Sequence, residues 1–65
     1  MRILKLGSKG SAVTELQKLL IKNGITGKNK KPLIADGDFG ENTEYAVIQF
    51  QKKQNLKVDG MVGDY

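Results

Sequence analysis

Few residues of this chain could take part in a reaction. The 65 residues include no histidine and no cysteine, so a Ser-His-Asp triad, a thiol nucleophile and a histidine-containing zinc site are excluded. Two carboxylates could hydrolyse a glycosidic bond, and the candidates are Glu15, Asp36, Asp38, Glu41, Glu44, Asp59 and Asp64. Most of them have a structural role nearby, in a turn or at a helix end, and so small a core cannot surround a cleft. We therefore expect no catalytic residue and no enzymatic activity.

A metal site is not expected either. Asp36-x-Asp38-x-Gly40 resembles the start of a calcium loop, which needs oxygen ligands at alternate positions followed by glycine. Here the third ligand position is Gly40, and the position that should be glycine is Glu41. The match fails, and the sequence predicts neither a metal nor a cofactor.

The charge of the chain is modestly basic. Its formal net charge is +4, which favours polyanionic partners in general terms and is also what keeps a small domain soluble. No apolar run is long enough to cross a membrane. A helix-turn-helix motif, which binds DNA, joins its two helices by three or four residues. The gap between the two helices described below is far longer, so this motif is excluded. We expect a monomer that binds neither nucleic acid nor membrane.

The first predicted helix covers residues 11–23. Ser11 can cap its start, and Asn23-Gly24 supplies a stop, because glycine readily adopts the left-handed conformation found after helix ends. Apolar residues at helical spacing form one stripe, and they are Val13, Leu16, Leu19 and Leu20.

The second predicted helix covers residues 41–54. Gly40 or Asn42 would cap its start, and Asn55 can end it as a left-handed residue. Its inward stripe consists of Thr43, Ala46, Val47 and Phe50. The basic, glycine- and proline-containing segment 25–35 is a loop.

One short motif occurs twice. Asp36-Gly37-Asp38-Phe39-Gly40 is repeated as Asp59-Gly60-Met61-Val62-Gly63, and Asp-Gly pairs form tight turns in which glycine takes a positive φ. We expect these aspartates and glycines to build two turns, each leading into a helix, the third helix starting at Gly63-Asp64. The predicted fold is an all-α, small three-helix bundle with pseudo-repeat symmetry, with only the start of its third helix present, and residues 1–65 form one domain.

A ligand could contact the outer face of the second helix. Tyr45, Ile48 and Lys52 fall opposite its inward stripe and could contact a sugar ring or a short peptide. With the adjoining loop, the predicted contact residues are Asp38, Phe39, Tyr45, Ile48, Gln49 and Lys52. Gln17 and Gln51 could donate to a ligand amide or tie loop backbone groups in place.

The order of these pieces resembles a known family. Four segments carry the resemblance, and they are Leu6-Gly7-Ser8-Lys9-Gly10, Val13-x-x-Leu16-Gln17-x-x-Leu20, Asp36-Gly37-x-Phe39-Gly40-x-x-Thr43-x-x-Ala46-Val47-x-x-Phe50-Gln51 and Leu56-x-x-Asp59-Gly60-x-Val62-Gly63. In this order they resemble the peptidoglycan-binding domain family of three-helix modules. The resemblance covers residues 4–65. Loop 25–35 is longer and more basic than in many members, and family members usually continue past the position of Tyr65 with the rest of the third helix.

The resemblance implies a non-catalytic module that targets an attached cell-wall hydrolase to peptidoglycan, through the glycan strand or the stem peptide. The attached domain would be that of an endolysin, an amidase or a lysozyme-like enzyme. Because no signal peptide is visible, the resemblance favours a bacteriophage endolysin that is made in the cytoplasm and acts on the wall after lysis begins. The alternatives are a protein-protein docking module and an electrostatic binder of anionic wall polymers through Lys28, Lys30 and Lys31.

Overall fold

A computed structural model describes residues 3–63 of the chain. In chain order they form strand β1 (Ile3–Leu4), helix α1 (Ser11–Lys22), helix α2 (Glu41–Lys53) and strand β2 (Val62–Gly63). The predicted helical class is confirmed, with two helices in this range. Gly63, expected at the start of a third helix, belongs to β2, and Asp64 lies outside the described residues.

The two strands join the ends of the described segment. They pair antiparallel, with Ile3 opposite Gly63 and Leu4 opposite Val62. The sequence did not predict this sheet, because strands of two residues are too short to show the alternation by which strands are recognised.

Helix α1 begins without a side-chain cap. The N-cap position is occupied by Gly10 at φ 127°, and Ser11, the predicted cap, is the first helical residue. The Gly10 N–H donates to the Gly37 carbonyl at 3.0 Å. The start of α1 is therefore fixed by the first Asp-Gly turn, since only a residue without Cβ takes this φ easily.

Both helices end in the same way. In α1, Gly24 takes φ 72°, and the Ile25 N–H donates to the Leu20 carbonyl at 3.0 Å. In α2, Asn55 takes φ 59°, and the Leu56 N–H donates to the Gln51 carbonyl at 2.8 Å. These are Schellman motifs, which satisfy carbonyls that a helix end leaves without partners, and they confirm both predicted helix ends.

The core lies between the helices and the segments that flank them. Its buried apolar members are Leu4, Val13, Leu16, Leu20, Ile25, Leu33, Phe39, Ala46 and Val47. Leu19, predicted to face inward, is 41% exposed. The buried positions of α1 are Val13, Leu16, Gln17 and Leu20, which follow the i, i+3, i+4, i+7 rule, so Gln17 takes the place that the sequence analysis gave to Leu19.

Loop 25–35 is fixed against the start of α2. The Lys28 N–H donates to the Asn42 Oδ1 at 3.1 Å. A Cβ added at Gly27 would lie 2.8 Å from the Asn42 Cβ, which is closer than real side chains approach, so glycine allows this contact. The longer loop thus has a defined position beside the outer face of α2.

Candidate functional site

The first Asp-Gly turn is held by a glutamine from α1. Gln17, 1% exposed, accepts the Gly37 N–H on Oε1 at 2.9 Å. Its Nε2 lies 3.0 Å from the Asp38 carbonyl and 3.2 Å from the Asp36 Oδ1, and also 3.0 Å from the Thr43 hydroxyl. An amide nitrogen has two hydrogens for these three acceptors, so one of the bonds is shared. Gln17 therefore joins α1, the turn and α2.

The second turn is held by a glutamine from α2. Gln51 donates through Nε2 to the Asp59 Oδ1 at 2.9 Å and to the Met61 carbonyl at 2.7 Å. Its Oε1 accepts the N–H groups of Asp59 at 3.2 Å and Gly60 at 3.0 Å. Both glutamines thus tie loop backbone groups in place, the second of the two roles weighed for them, and neither is directed at a ligand.

The aspartates of the two turns accept hydrogen bonds that favour their charged form. The backbone N–H of Asp38 lowers the pKa of Asp36 below its ordinary value, and the Gln17 amide adds to this. At the second turn, the backbone N–H of Met61 lowers the pKa of Asp59, with the Gln51 amide next. Both carboxylates are therefore bound within the turns, as expected for structural residues rather than for a general acid.

The structure divides the six predicted contact residues between the surface and the core. Phe39 is 1% exposed and lies beneath the first turn, so it supports the surface without reaching it. Asp38 is exposed and pairs with Lys9 at 3.0 Å. The remaining four lie on α2, and they are Tyr45, Ile48, Gln49 and Lys52.

Tyr45 stands at the centre of this face. Its side chain is 40% exposed, Ile48 and Gln49 are half-buried and Lys52 is exposed. A Cβ added at Gly60 would lie 3.7 Å from the Ile48 Cγ1. Ile48 is therefore half-buried because it lies against the second turn, whereas the sequence analysis placed it in an exposed row.

Two shallow grooves meet at Tyr45. The lysine groove is lined by Asn23, Gly24, Ile25, Thr26, Lys30, Tyr45, Gln49 and Lys53. The glutamate groove is lined by Leu6, Lys28, Glu41, Glu44, Tyr45 and Ile48. An aromatic ring between two polar grooves suits a ligand with an apolar face and polar ends, because tyrosine combines an apolar body with a hydroxyl.

Asp38 belongs to a separate polar depression. This depression is lined mainly by the first turn, loop 25–35 and the start of α2, and it includes Asp36, Asp38, Glu41 and Asn42. Glu41 also lines the glutamate groove, so the two depressions adjoin at that residue. Lys52 lines none of the three depressions described here.

Lys53 was not among the predicted contact residues, and Lys30 was not predicted to lie beside them. Lys53 lies four positions after Gln49 and eight after Tyr45 on α2, so helical spacing could have identified it. Lys30 reaches the groove from loop 25–35, and no sequence pattern reports where a loop of this kind folds back. Its basic character was noted, but its place beside Tyr45 depends on the docking of the loop.

Within residues 3–63, no three histidine, cysteine, aspartate or glutamate side chains are grouped as metal ligands would be. No helix in this part of the chain has the length and apolar character needed to cross a membrane.

Comparison with known families identifies the chain. Residues 9–64 match the family model described as a peptidoglycan binding domain. The chain belongs to the peptidoglycan-binding domain family. This confirms the resemblance found in the sequence, and it confirms the expectation of a binding module in place of an enzyme.

The relatives of this peptidoglycan-binding domain are longer proteins. It is 43% identical over 61 residues to the N-acetylmuramoyl-L-alanine amidase CwlL of Bacillus licheniformis, covering 94% of this chain and 16% of the amidase. It is 41% identical over 63 residues to a spore cortex-lytic enzyme of Bacillus cereus, covering 95% of this chain and 22% of that enzyme. The chain thus spans less than a quarter of the length of these curated relatives.

Solved structures support the fold. The crystal structure of the SleB N-terminal domain has a TM-score of 0.84 and 37% identity, over 95% of this chain and 78% of that one. A fused Zn-dependent amidase/peptidase/peptidoglycan-binding domain-containing protein from Clostridium acetobutylicum has a TM-score of 0.79 and 41% identity, over 97% of this chain and 26% of that one.

Proposed function

We propose that this module binds peptidoglycan and holds an attached cell-wall hydrolase against the wall. Membership of the family carries the proposal, and the small share of each amidase and cortex-lytic relative that the module matches supports it. A tethered binding module raises the local concentration of its enzyme at a polymeric substrate. Weak binding to one repeat of the wall is therefore enough for useful retention.

The proposed contact surface is the outer face of α2. Tyr45 is its centre, with Ile48, Gln49 and Lys52 around it, and Asp38 lies in the adjoining depression. Exposure of the Tyr45 ring beside two grooves supports this assignment. Phe39 contributes by supporting the first turn from the core.

The experiment is a pulldown with purified, protein-free sacculi at low and moderate salt, with chitin and DNA-cellulose as controls. We expect retention on sacculi that survives moderate salt. Tyr45→Ala should weaken it, whereas Ile21→Ala, which removes a partly exposed apolar side chain from α1, should not. Unchanged helical circular dichroism would show that both variants fold, and failure of the module to bind sacculi at either salt concentration would contradict the proposal.

Salt also separates the two alternatives. An electrostatic binder of anionic wall polymers would lose its retention between low and moderate salt, because exposed charges are screened. A protein-protein docking module would recover a protein partner in preference to wall material. We propose a monomer without affinity for nucleic acid or membrane, and the DNA-cellulose control tests the first of these absences.

The third helix of the predicted bundle remains a proposal. An apolar groove runs between the helices, lined by Leu16, Leu19, Leu20, Val47, Phe50, Gln51, Leu56, Met61 and Val62. A helix that follows β2 would cover it and bury apolar surface, which stabilises a domain. A longer chain that includes this helix should unfold at a higher temperature than the 65-residue chain, and equal unfolding temperatures would contradict the proposal.

The attached hydrolase is proposed to be an amidase or a cortex-lytic enzyme, the two kinds of relative found. A bacteriophage endolysin, synthesised in the cytoplasm and released by lysis, stays a prediction of the sequence. The gene that encodes the module tests both, because the catalytic domain joined to it identifies the hydrolase.

A further inference from the structure

The charges around Tyr45 are separated by sign. Of residues 3–63, the lysine groove contains Lys30 and Lys53 and no carboxylate. The glutamate groove on the other side contains Glu41 and Glu44 with one lysine of the same residues, Lys28. A ligand that crosses the Tyr45 ring would therefore meet positive charge on one side and mainly negative charge on the other.

These charges are available to a ligand. Within residues 3–63, the side-chain ion pair closer than 4.0 Å is Lys9–Asp38. Lys30 and Lys53 therefore meet no carboxylate, and Glu41 and Glu44 no ammonium, of the described residues at that distance. Lys30, Lys53 and Glu41 are exposed and Glu44 is half-buried, and unpaired charges of this kind set which ligand charge a groove accepts.

The backbone holds the loop lysines on opposite sides of the ring. The Lys28 N–H is bound by the Asn42 side chain at 3.1 Å, which places Lys28 at the glutamate groove. Two residues later, Lys30 takes φ 63°, and its N–H donates to the Gly27 carbonyl at 3.0 Å. The left-handed residue turns the chain, so that Lys30 lines the lysine groove instead.

The lysine groove also offers neutral hydrogen-bonding groups. Gln49 and Lys53 lie four residues apart on α2, so both side chains lie on one face of the helix. The Gln49 amide can donate to a carbonyl and accept an N–H, which matches the two groups of a peptide bond. The groove is shallow and has a volume of about 440 Å³.

We propose that this site binds the stem peptide of peptidoglycan and not the glycan strand, an inference that rests on the proposed function. In this arrangement a carboxylate of the peptide lies between Lys30 and Lys53. The peptide backbone lies on Tyr45 and Gln49. The free amine of the diamino acid in the peptide lies toward Glu41 and Glu44. The sugars of the strand are neutral where the lactyl carboxyl of the muramic acid is bonded to a peptide as an amide, and such sugars make no use of this separation. A stem peptide carries carboxylates and, where it is not cross-linked, an amine.

The first test compares intact sacculi with bead-bound glycan strands from which an amidase has removed the stem peptides, the lactyl carboxylates that this hydrolysis exposes having been converted to amides. We expect the module to be retained on intact sacculi and to be lost from the peptide-free glycan. Equal retention on both would overturn the stem-peptide inference while leaving wall binding in place. Retention on neither would overturn wall binding itself, and the inference with it.

The second test uses two charge variants matched in net charge. The test variant, Lys30→Gln with Lys53→Gln, removes both lysines of the lysine groove. The control variant, Lys31→Gln with Lys22→Gln, removes one lysine from the same loop and one from the last turn of α1. Each variant lowers the net charge by two, from +4 to +2. We expect the first pair to weaken retention about fivefold to tenfold and the control pair less than about twofold.

A soluble probe identifies the group that the lysines recognise. A synthetic stem tetrapeptide with a free C-terminal carboxylate should shift the amide resonances of Lys30, Tyr45 and Gln49, and the same peptide with a C-terminal amide should shift them less. The Lys30→Gln, Lys53→Gln variant should no longer distinguish the two peptides. Equal losses in the two charge variants, or equal shifts with both peptides, would overturn the assignment of the carboxylate to this groove.

Discussion

The two Asp-Gly turns use nearly the same hydrogen bonds in different surroundings. In each, a glutamine side chain accepts the N–H of the turn glycine and donates to the aspartate carboxylate and to a carbonyl of the turn. Gln17 is separated from its turn by 19 to 21 residues, whereas Gln51 is separated by 8 to 10. The same motif therefore closes a long loop in one place and a short one in the other.

The first turn has more partners than the second. The Gly10 N–H donates to the Gly37 carbonyl, the Phe39 N–H donates to the Ser8 carbonyl, and the Gly7 N–H donates to the Phe39 carbonyl. The second turn leads into β2, which pairs with Ile3–Leu4. The segment before α1 therefore contacts both turns, but the first turn makes backbone hydrogen bonds to this segment and is also held by Gln17 of α1, so we expect its loss to destabilise the fold more.

The largest effect should come from replacing the glutamines. Gln17→Leu leaves the Gly37 N–H and the Thr43 hydroxyl without a partner, which should lower the free energy of unfolding by about 2–4 kcal/mol. Gln51→Leu, at the shorter and less enclosed turn, should lower it by about 1–2 kcal/mol. Urea denaturation followed by circular dichroism measures both, with Gln54→Leu as an exposed control. A cost for Gln51→Leu equal to or above that for Gln17→Leu would remove the distinction between the turns.

An intermediate effect should come from the turn glycines. Gly37 takes φ 77° and Gly60 takes φ 73°, so alanine at either position costs about 1–2 kcal/mol in backbone conformation. At Gly37 the new Cβ would also lie 2.8 Å from the Thr14 hydroxyl and 3.1 Å from the Gly10 carbonyl oxygen.

At Gly60 the nearest atom would be the Glu44 Cγ at 3.3 Å, on a flexible side chain that can move aside. We therefore expect Gly37→Ala to lower the thermal unfolding midpoint more than Gly60→Ala. Equal midpoints would mean that the first turn can move away from α1, and that its enclosure adds nothing to stability.

The smallest effect should come from protonating the aspartates. The fold lowers the pKa values of Asp36 and Asp59 below their ordinary value of 3.8. Above pH 3.8, where both aspartates are charged in the folded and the unfolded chain, the stability that their hydrogen bonds contribute is therefore fully present. It should be lost as the pH falls below 3.8 through the lowered pKa values. Chemical denaturation between about pH 5 and pH 2 measures this loss.

The aspartate variants separate the two turns in the same experiment. Asp36→Asn and Asp59→Asn keep an acceptor oxygen in each turn and remove the titration, so each should make the pH dependence shallower, and the double variant should be shallower still. A double variant with the slope of the unmodified chain would assign the acid sensitivity to other carboxylates.

Several features could be predicted from sequence because they depend on neighbouring residues. Both helix ranges, the left-handed ends at Gly24 and Asn55, and both turns follow from local rules of periodicity and backbone conformation. The family resemblance, confirmed by the match over residues 9–64, followed from the order of these local pieces.

The candidate site could be predicted only in part. Tyr45, Gln49 and Lys52 lie on the outer face of α2, where helical geometry placed them. Phe39 was included with the loop that opens α2, but adjacent residues of an extended segment point to opposite sides, and this one points into the core. The loop lysines were noted as basic, without any indication that they border Tyr45.

The sequence by itself determined where this chain bends and which segments are helical, since those choices depend on contacts within a few residues. The tertiary structure decided that Gln17 and not Leu19 occupies the buried stripe of α1, that Gly10 occupies the N-cap position of this helix, and that Ile3–Leu4 pairs with Val62–Gly63. It also decided that Lys28 and Lys30 lie on opposite sides of Tyr45. Each of these depends on groups far apart in the chain, whose approach is set by the packing of the whole core.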